Sequence, residues 1–470
     1  MKDAPEVRLP AGTLRGARES AVAVFRGIPY AAPPVGADRF AAPRPPDRWA
    51  GVREATAFGP SAPQTDVFGS GSAAGPAGDG WLTVNVWSPS PGPGARLPVL
   101  VWIHGGGYTV GRSSSPEYDG GRLAREGPVV LVTFNYRLGV EGFAHIDGAP
   151  ANRGLLDQVA ALEWVRDNIG AFGGDPARVT VFGESAGGGS VAALLAMPRA
   201  SGLFRAAVAQ SVPGTFFSPA FAAGIAAALA AEVGPRFADV DPARLAAAAD
   251  RVTAGFRSIR FSPVVDGEVL PTTPWEAVGD RDIPLLTGHT RDEYRLFTVL
   301  NGGPATTCAV EQLAPGGARS YPESFPDAGP ELLDELVQSD WLFRMPSLHL
   351  AEARVAGGGR AFLYELTWPA PGLGGALGAC HGLDVPLVFG NLTSGQTAVL
   401  LGDRPGDDAI ELSAQMRAAW IAFATDGDPG WPAYSAEQRL TRIFDIPGSV
   451  TAYPEELSRL IWQSHSFEAR

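Results

Sequence analysis

Short apolar runs alternate with amphipathic stretches through the middle of the chain. One stretch, 154–174, places Leu155, Val159, Leu162 and Val165 on one face of a helix and ends in paired glycines. Six apolar runs rich in β-branched and aromatic residues predict strands: 97–107, 127–139, 178–183, 204–211, 283–293 and 360–368. Strands separated by helices predict an α/β fold, with a mostly parallel central sheet that helices cover on both faces.

The segments outside this alternation predict additions to the sheet. The first ninety residues are rich in Pro and Gly and predict a small N-terminal antiparallel strand system. Helical insertions at about 215–260 and 295–358 are expected to cap the site, and a last helix is expected at about 410–423. We therefore expect 1–470 to form one domain with these capping insertions.

Composition and charge exclude several classes of protein. The chain has 470 residues, of which 45% are apolar, so it can build a large core. A net charge of −13 argues against nucleic-acid binding. No apolar run has the length of a membrane span or a signal peptide, which predicts a cytoplasmic location. Cys308 and Cys380 are too few for a disulfide framework or a zinc site, and we expect no metal and no cofactor.

The junction between the strand at 178–183 and the following helix has the sequence Gly-Glu-Ser-Ala-Gly. Turning so sharply forces the middle residue, Ser185, into a strained conformation, and Gly183 and Gly187 give the turn room. This is the pattern of a nucleophile elbow, which exposes a serine hydroxyl above the end of the sheet. We therefore interpret Ser185 as the candidate nucleophile.

A serine nucleophile needs a base, and six histidines are available. In hydrolases built on such a sheet the base follows the nucleophile and the acid in the chain. His381 lies in a Gly-flanked loop after the last predicted strand and fits this order, whereas His465 lies in a tail that we expect to be frayed. The remaining histidines are less suited by position: His104, His145, His289 and His349.

The acid that orients the base remains open on the residues alone. Asp292 and Glu293 directly follow a predicted strand, and Asp384 lies three residues after His381. The oxyanion-binding residues are better defined, because backbone N–H groups at glycines let a substrate oxygen approach closely. Gly106 and Gly107 of the His-Gly-Gly-Gly run, with Ala186 after the serine, supply three such donors.

Taken together, these motifs resemble those of the type B carboxylesterase family, which includes para-nitrobenzyl esterases and cholinesterases. The resemblance runs nearly end to end and in the family's order. It is carried by "FRGIPYAAPPVG", "VNVWSP", "VLVWIHGGGY", "VTFNYRLGVEGF", "NRGLLDQVAALEWVRDNIGAFGGDPARVTVFGESAGG", "FSPVVDGEVLP" and "HGLDVPLVFG". The family has the α/β-hydrolase fold, which the resemblance implies for this chain.

The resemblance also implies roles for particular residues. The family's Arg/Lys-Asp-Glu motif makes Glu293, not Asp292, the acid of a Ser-Glu-His triad with Ser185 and His381. The resemblance also supports Gly106, Gly107 and Ala186 as oxyanion donors. Three further residues are expected to line the site or to support it from behind: Glu184, Ser211 and His104.

The chain departs from the family pattern at three positions. Ala62 and Trp81 stand where family members carry a pair of cysteines that closes an N-terminal loop. Their joint loss suits a reducing compartment. Tyr294 stands where the acid motif continues with glycine, and Trp81 is either a site aromatic or a core residue. The Gly/Ser-rich stretch from Asp66 is expected to border the entrance to the site.

The expected function is hydrolysis of carboxylic esters by a serine carboxylesterase through an acyl-serine intermediate. Two alternatives stay open: an acyltransferase or cyclising enzyme with the same triad, and a non-catalytic, cholinesterase-like binding module. The expected partner is a small-molecule ester, without nucleic acid or a membrane span, bound by a monomer or a homodimer. The acyl and alcohol groups would be selected by the segments least like the family, 215–260 and 295–345.

Overall fold

The structure is a computed structural model that describes residues 4–65, 78–253, 260–280, 282–303 and 309–470. Cys308 and the start of the Gly/Ser-rich stretch at Asp66 lie outside these residues. Within the described ranges, every helix is too short or too polar to cross a membrane. The same ranges contain no group of three or more His, Cys, Asp or Glu side chains placed to hold a metal ion.

Fourteen strands are found in the described residues, and eleven of them form one large sheet. The order across this sheet is β14-β13-β12-β11-β10-β9-β7-β8-β6-β4-β3, while β1, β2 and β5 form a second, small sheet. The strands are β1 Glu6–Leu9, β2 Gly12–Arg15, β3 Ala17–Glu19, β4 Val22–Pro29, β5 Val52–Glu54, β6 Thr83–Ser88, β7 Leu97–Ile103, β8 Val130–Phe134, β9 Gly174–Glu184, β10 Ala206–Gln210, β11 Leu285–Thr290, β12 Ala361–Leu366, β13 Leu440–Phe444 and β14 Ser449–Ala452.

Helices lie between the strands, as the α/β prediction requires. The described α-helices are α1 Gly121–Glu126, α2 Gly139–Phe143, α3 Arg153–Asn168, α4 Ala186–Ala196, α5 Pro219–Val233, α6 Pro242–Thr253, α7 Pro274–Ala277, α8 Arg295–Leu300, α9 Ala309–Leu313, α10 Ser320–Ser324, α11 Pro330–Ser339, α12 Met345–Ala356, α13 Asp384–Phe389, α14 Thr397–Leu401, α15 Asp407–Asp426 and α16 Glu456–Trp462. Strands β8, β7, β9, β10, β11, β12 and β13 run parallel to one another. The mostly parallel sheet is therefore confirmed.

Both faces of the central strands are buried, which explains why they read as continuous apolar runs. Along β7, Val99, Val101 and Ile103 pack into one core cluster, while Leu100 and Trp102 pack into the cluster on the opposite face. Successive side chains of a strand point to opposite faces, so this run supplies two cores at once.

The N- and C-terminal parts contain strands and a helix beyond those predicted. At the N-terminus, β1 and β2 pair antiparallel as predicted, β5 adds to them in parallel, and β3, β4 and β6 extend the main sheet. At the other edge, β13 and β14 follow the strand that was predicted to be the last. The last predicted helix is α15, which is longer than 410–423, and α16 comes after it.

Candidate active site

The strand-to-helix turn holds Ser185 in a strained conformation. This serine has φ 58° and ψ −124°, between β9 and α4. A Cβ atom at Gly187 would overlap the carbonyl oxygen of Ile103, and one at Gly183 would lie 2.6 Å from the backbone of Gly187. The two flanking glycines are thus required by close packing, and the turn has the geometry of a nucleophile elbow.

The glycine run after β7 lies directly beside this turn. A Cβ atom at Gly105 would stand 3.0 Å from Glu184 Oε2 and 3.2 Å from Ser185 Cβ. Gly106 has φ 110° and Gly107 has φ 60°, conformations that L side chains rarely adopt. Two glycine-rich turns that are far apart in the sequence therefore meet at the candidate nucleophile.

Three backbone N–H groups at these turns are available for a ligand. Among the hydrogen bonds of the described residues, none has the N–H of Gly106, Gly107 or Ala186 as its donor. The Gly106 carbonyl, in contrast, accepts from the N–H groups of Thr109 and Val110 at 3.0 and 3.1 Å and fixes the loop. Such preorganised donors are suited to stabilise an oxyanion.

The imidazole of His381 lies between two carboxylates. Its Nδ1 is 2.5 Å from Glu293 Oε2, and its Nε2 is 3.1 Å from Glu184 Oε1. Glu293 is completely buried, and its Oε1 accepts from Ser211 Oγ at 2.6 Å and from the Thr290 N–H at 2.9 Å. Since Nδ1 faces a carboxylate, it carries a proton, and Nε2 is the ring nitrogen that faces the elbow.

Within the described residues, no hydrogen bond joins Ser185 Oγ to His381 Nε2. Glu184, the residue before the serine, is the contact that Nε2 makes on the elbow. Hydrogen bonds between nucleophile and base are often long or poorly aligned in unliganded enzymes and tighten when substrate binds. The candidate base therefore contacts the residue next to the candidate nucleophile, without a hydrogen bond to the serine itself.

Asp292 does not contact His381 but ties the loops together. Its N–H donates to the Ala379 carbonyl at 2.9 Å, and the Ala379 N–H donates to Asp292 Oδ2 at 2.8 Å. The turn that carries Glu293 and the loop that carries His381 are thereby joined by two hydrogen bonds.

Asp384 is engaged elsewhere in the core. Its Oδ2 accepts from Gln210 Nε2 at 2.8 Å and from the Tyr364 hydroxyl at 2.7 Å. Burial raises the pKa of Asp384 above its ordinary value. Of the three acids that the residues alone left open, only Glu293 contacts the His381 ring.

The buried charges shift the protonation of the candidate base. Burial alone lowers the pKa of His381, but the nearby carboxylates of Glu184 and Glu293 outweigh it and raise the value to about 9. Burial raises the pKa of Glu184 to about 8, although the His381 charge opposes it. For Glu293, the burial that favours the neutral form is outweighed by His381 and three hydrogen bonds, so its pKa lies below the ordinary value.

His104 lies behind the glycine run. It is buried, its Nδ1 contacts the Gly105 carbonyl at 2.8 Å, and its ring stacks on Tyr136 at 4.5 Å between ring centres. Burial lowers its pKa to about 4, so its ring is neutral at physiological pH. His104 therefore packs against the loop that carries the glycines.

The expectation of a frayed tail around His465 is wrong. The His465 ring packs edge-on against Trp462 and Phe467, at 4.7 and 4.8 Å between centres. The backbone of Arg470 pairs with that of Phe216, whose carbonyl accepts its N–H at 2.9 Å. The aromatic side chains of the tail thus pack against one another. The sequence did not predict this packing, because the aromatic residues there are separated by polar ones.

Sequence reasoning missed the aromatic side chains around the candidate base, His381. The ring of Phe343 stacks on His381 at 4.1 Å with an interplanar angle of 27°, and Phe297 lies at 5.3 Å. At the departure from the family pattern, the Tyr294 N–H donates to Ser339 Oγ at 3.0 Å, and the Tyr294 ring lies 5.3 Å from that of Phe297. Trp81 is only 4% exposed and belongs to the main core cluster.

Comparison with known proteins agrees with this geometry. The model of the carboxylesterase family matches residues 3–311. A para-nitrobenzyl esterase of Bacillus subtilis is 38% identical over 95% of this chain and 96% of its own length. The chain belongs to the carboxylesterase family. The enzyme is accordingly a carboxylic-ester hydrolase.

Other relatives of the enzyme carry different names. A phenmedipham hydrolase of Pseudarthrobacter oxydans is 34% identical over 95% of the chain and 96% of its own. Among solved structures, a PNB esterase superimposes with a TM-score of 0.87 at 37% identity, covering 97% of this chain and 99% of that one. A carboxylesterase of Geobacillus stearothermophilus gives 0.85 at 36% identity, covering 97% and 100%. The α/β-hydrolase fold is thereby confirmed.

Proposed function

We propose that the enzyme is a serine carboxylesterase that hydrolyses esters through an acyl-serine intermediate, with Ser185 as nucleophile, His381 as base and Glu293 as acid. The observation that carries this proposal is the position of His381. Its Nδ1 is held 2.5 Å from a completely buried carboxylate, while its other nitrogen faces the strained turn of Ser185. A strained serine, an anchored imidazole and unoccupied N–H donors together are suited to acyl transfer.

Acylation begins when neutral His381 takes the proton of Ser185 as the hydroxyl attacks the ester carbonyl. The N–H groups of Gly106, Gly107 and Ala186 stabilise the oxyanion, and one such donor contributes about 3 kcal/mol. The imidazolium that forms is stabilised by Glu293 and then gives its proton to the leaving alcohol.

Deacylation repeats the same transfer with water as the nucleophile. His381 removes a proton from the water molecule, the hydroxide attacks the acyl carbonyl, and Ser185 leaves with the proton that the imidazolium returns. Ser211 and the Thr290 N–H keep Glu293 fixed in both halves of the reaction, since each donates to its Oε1.

The substrate is a small-molecule ester that helices of the two insertions, α5 to α6 and α8 to α12, help to enclose. The relatives bear names as different as para-nitrobenzyl esterase, phenmedipham hydrolase and fumonisin B1 esterase, at 38%, 34% and 36% identity. Chains this similar therefore differ in their substrates.

The proposal is tested with p-nitrophenyl esters of short and medium acyl chains and with a p-nitrophenyl phosphonate. We expect ester turnover and a single phosphonate adduct per chain by intact-protein mass. Adding a competing alcohol separates hydrolysis from acyl transfer, because a transferase would form the new ester in place of the free acid. The absence of both adduct and turnover would remove Ser185 as the nucleophile.

A raised pKa of His381 predicts that activity increases with pH into the alkaline range. The protonated imidazole cannot accept the serine proton, so kcat/KM should rise as His381 loses its proton, with a midpoint well above the ordinary value of 6.5 and near 9. Glu184→Gln removes a neighbouring negative charge and should move this midpoint toward acid by about one to three units.

The control for the pH profile is Glu411→Gln, which makes the same change on the exposed side of α15. It should leave the midpoint of kcat/KM where the unmodified enzyme has it. A midpoint near 6.5 in all three proteins would show that Glu184 does not hold the proton on His381.

A further inference from the structure

A short π-helical turn lies beside the candidate base. The turn Asp340–Arg344 connects α11 to α12, and it carries Phe343, whose ring stacks on His381. Single π-helical turns are rare and occur frequently at functional sites. The position of the turn therefore matters directly for the position of the imidazole.

The next residue, Arg344, ties this turn to the turn that carries the acid. Its guanidinium is 1% exposed, and its Nε lies 2.9 Å from Asp340 Oδ1 within the π-helical turn. Its Nη1 donates to the carbonyl of Arg291 at 3.3 Å, two residues before Glu293. One buried cation thus contacts both the segment that packs on the base and the segment that presents the acid.

A carboxylate near the C-terminus holds this guanidinium in place. Glu455 Oε2 accepts from Arg344 Nη2 at 2.8 Å, and Ser458 Oγ lies 3.3 Å from the same nitrogen. The Glu455 side chain is 20% exposed, whereas the arginine is almost fully enclosed. Removing one partner of a buried cation is strongly destabilising, so the arginine, which Asp340 also contacts, would rearrange if Glu455 lost its charge.

The same C-terminal segment supports the acid by a second route. The Tyr453 hydroxyl lies 3.0 Å from His289 Nε2, and His289 Nδ1 lies 3.0 Å from the Thr290 carbonyl. Because Nδ1 faces a carbonyl, it carries the ring proton, and Nε2 accepts from the tyrosine. The Thr290 N–H in turn donates to Glu293, so the last residue of β11 contacts both His289 and the acid.

We propose that Glu455 is a positioning residue for the acid and the base: through Arg344 it fixes the turn that leads to Glu293 and the Phe343 ring that packs on His381. This inference rests on the proposed function, because it assigns the reaction to that acid and that base. Glu455 does not contact the reacting atoms. Its contribution is the alignment of His381 with Ser185 during proton transfer.

The test compares Glu455→Gln with Glu456→Gln. The two glutamates are adjacent at the start of α16, but Glu456 is 45% exposed and pairs with Arg459 at 2.6 Å instead of Arg344. Active sites are counted by phosphonate titration, so that a loss of folded protein is separated from a loss of rate. We expect kcat per titrated site to fall about tenfold in Glu455→Gln.

The KM of Glu455→Gln should stay within about twofold, because the alignment of His381 affects the chemical step more than substrate binding. Glu456→Gln should keep both constants within about twofold. A second, milder variant is Tyr453→Phe, which removes only the hydroxyl group that donates a hydrogen bond to His289 Nε2. Like Glu455→Gln, this variant should lower kcat per site, although it removes no charge.

A spectroscopic measurement reads the alignment without substrate. The proton between His381 Nδ1 and Glu293 Oε2 should give a far-downfield resonance, since these atoms are only 2.5 Å apart. We expect this resonance to shift or broaden in Glu455→Gln and to stay unchanged in Glu456→Gln. Should wild-type enzyme neither turn over esters nor take up phosphonate, the proposed function fails, and the resonance alone decides the positioning. The inference would be overturned if both glutamine variants kept the wild-type kcat per site and the wild-type resonance.

Discussion

Ser185→Ala is expected to lower kcat for ester hydrolysis by about 10⁴-fold or more. The alanine has no oxygen to form the acyl intermediate, and the remaining groups can only bind the ester and polarise its carbonyl. The measurement is p-nitrophenol release at saturating ester. Intact-protein mass should show that the variant takes up no phosphonate.

The matched control is Ser201→Ala, which removes the same hydroxyl from an exposed turn after α4. This variant should keep kcat within about twofold and should still bind one phosphonate. If Ser185→Ala retained substantial turnover, or if the phosphonate mass remained on the variant, another residue would be the nucleophile.

Glu293→Gln should lower kcat by about 10⁴-fold, because a neutral amide neither stabilises the imidazolium nor fixes the proton on Nδ1. The informative comparison is Asp384→Asn, the acid that lies closest to His381 in the sequence. Asp384 accepts from Gln210 and Tyr364, and its raised pKa favours the neutral form. An amide there can keep one acceptor oxygen, so we expect a loss below about tenfold.

Steady-state kinetics with one p-nitrophenyl ester measure both variants, with circular dichroism to compare their folding. Loss of similar size in both variants would mean that the two carboxylates act together on His381. A larger loss in Asp384→Asn than in Glu293→Gln would contradict the assignment of the acid.

The central strands were predictable because burial on both faces leaves a continuous apolar run, as in β7 and β9. The strands β13 and β14 were not, because they lie next to and at the edge of the sheet and carry few buried residues. All four residues of β14 are exposed, and only two of the five in β13 are buried. Without apolar alternation or a continuous run, an edge strand does not differ from a loop in its sequence.

At the site, the strained turn could be predicted from local signals, since the elbow needs its glycines within two residues of Ser185. The choice among the acids could not be made from the residues alone, because it depends on partners distant in the chain. Gln210 lies 174 residues before Asp384, and Glu293 lies 88 residues before His381. The resemblance to a family predicts Glu293 as the acid, a choice that composition and spacing left open.

The π-helical turn was hidden for a different reason. The insertion at about 295–358 was expected to be helical, and part of it does form α11 and α12, but the backbone between them takes up a π-helical turn with i→i+5 hydrogen bonds. Such a turn has no compositional signature, because the same side chains fit an ordinary helix. Its effect is three-dimensional: Phe343 and Arg344 point to different partners, one on the base and one on the acid-bearing turn.

From β9 onward, each new strand of the main sheet lies next to the one made before it, in the order β9, β10, β11, β12, β13, β14. During synthesis the chain leaves the ribosome from its N-terminus, so each strand can dock on an edge that already exists. Ser185 emerges first, Glu293 second, His381 third and Glu455 last. On the proposed assignment, a nascent chain therefore carries Ser185 without its acid and base until the segments with Glu293 and His381 have been made.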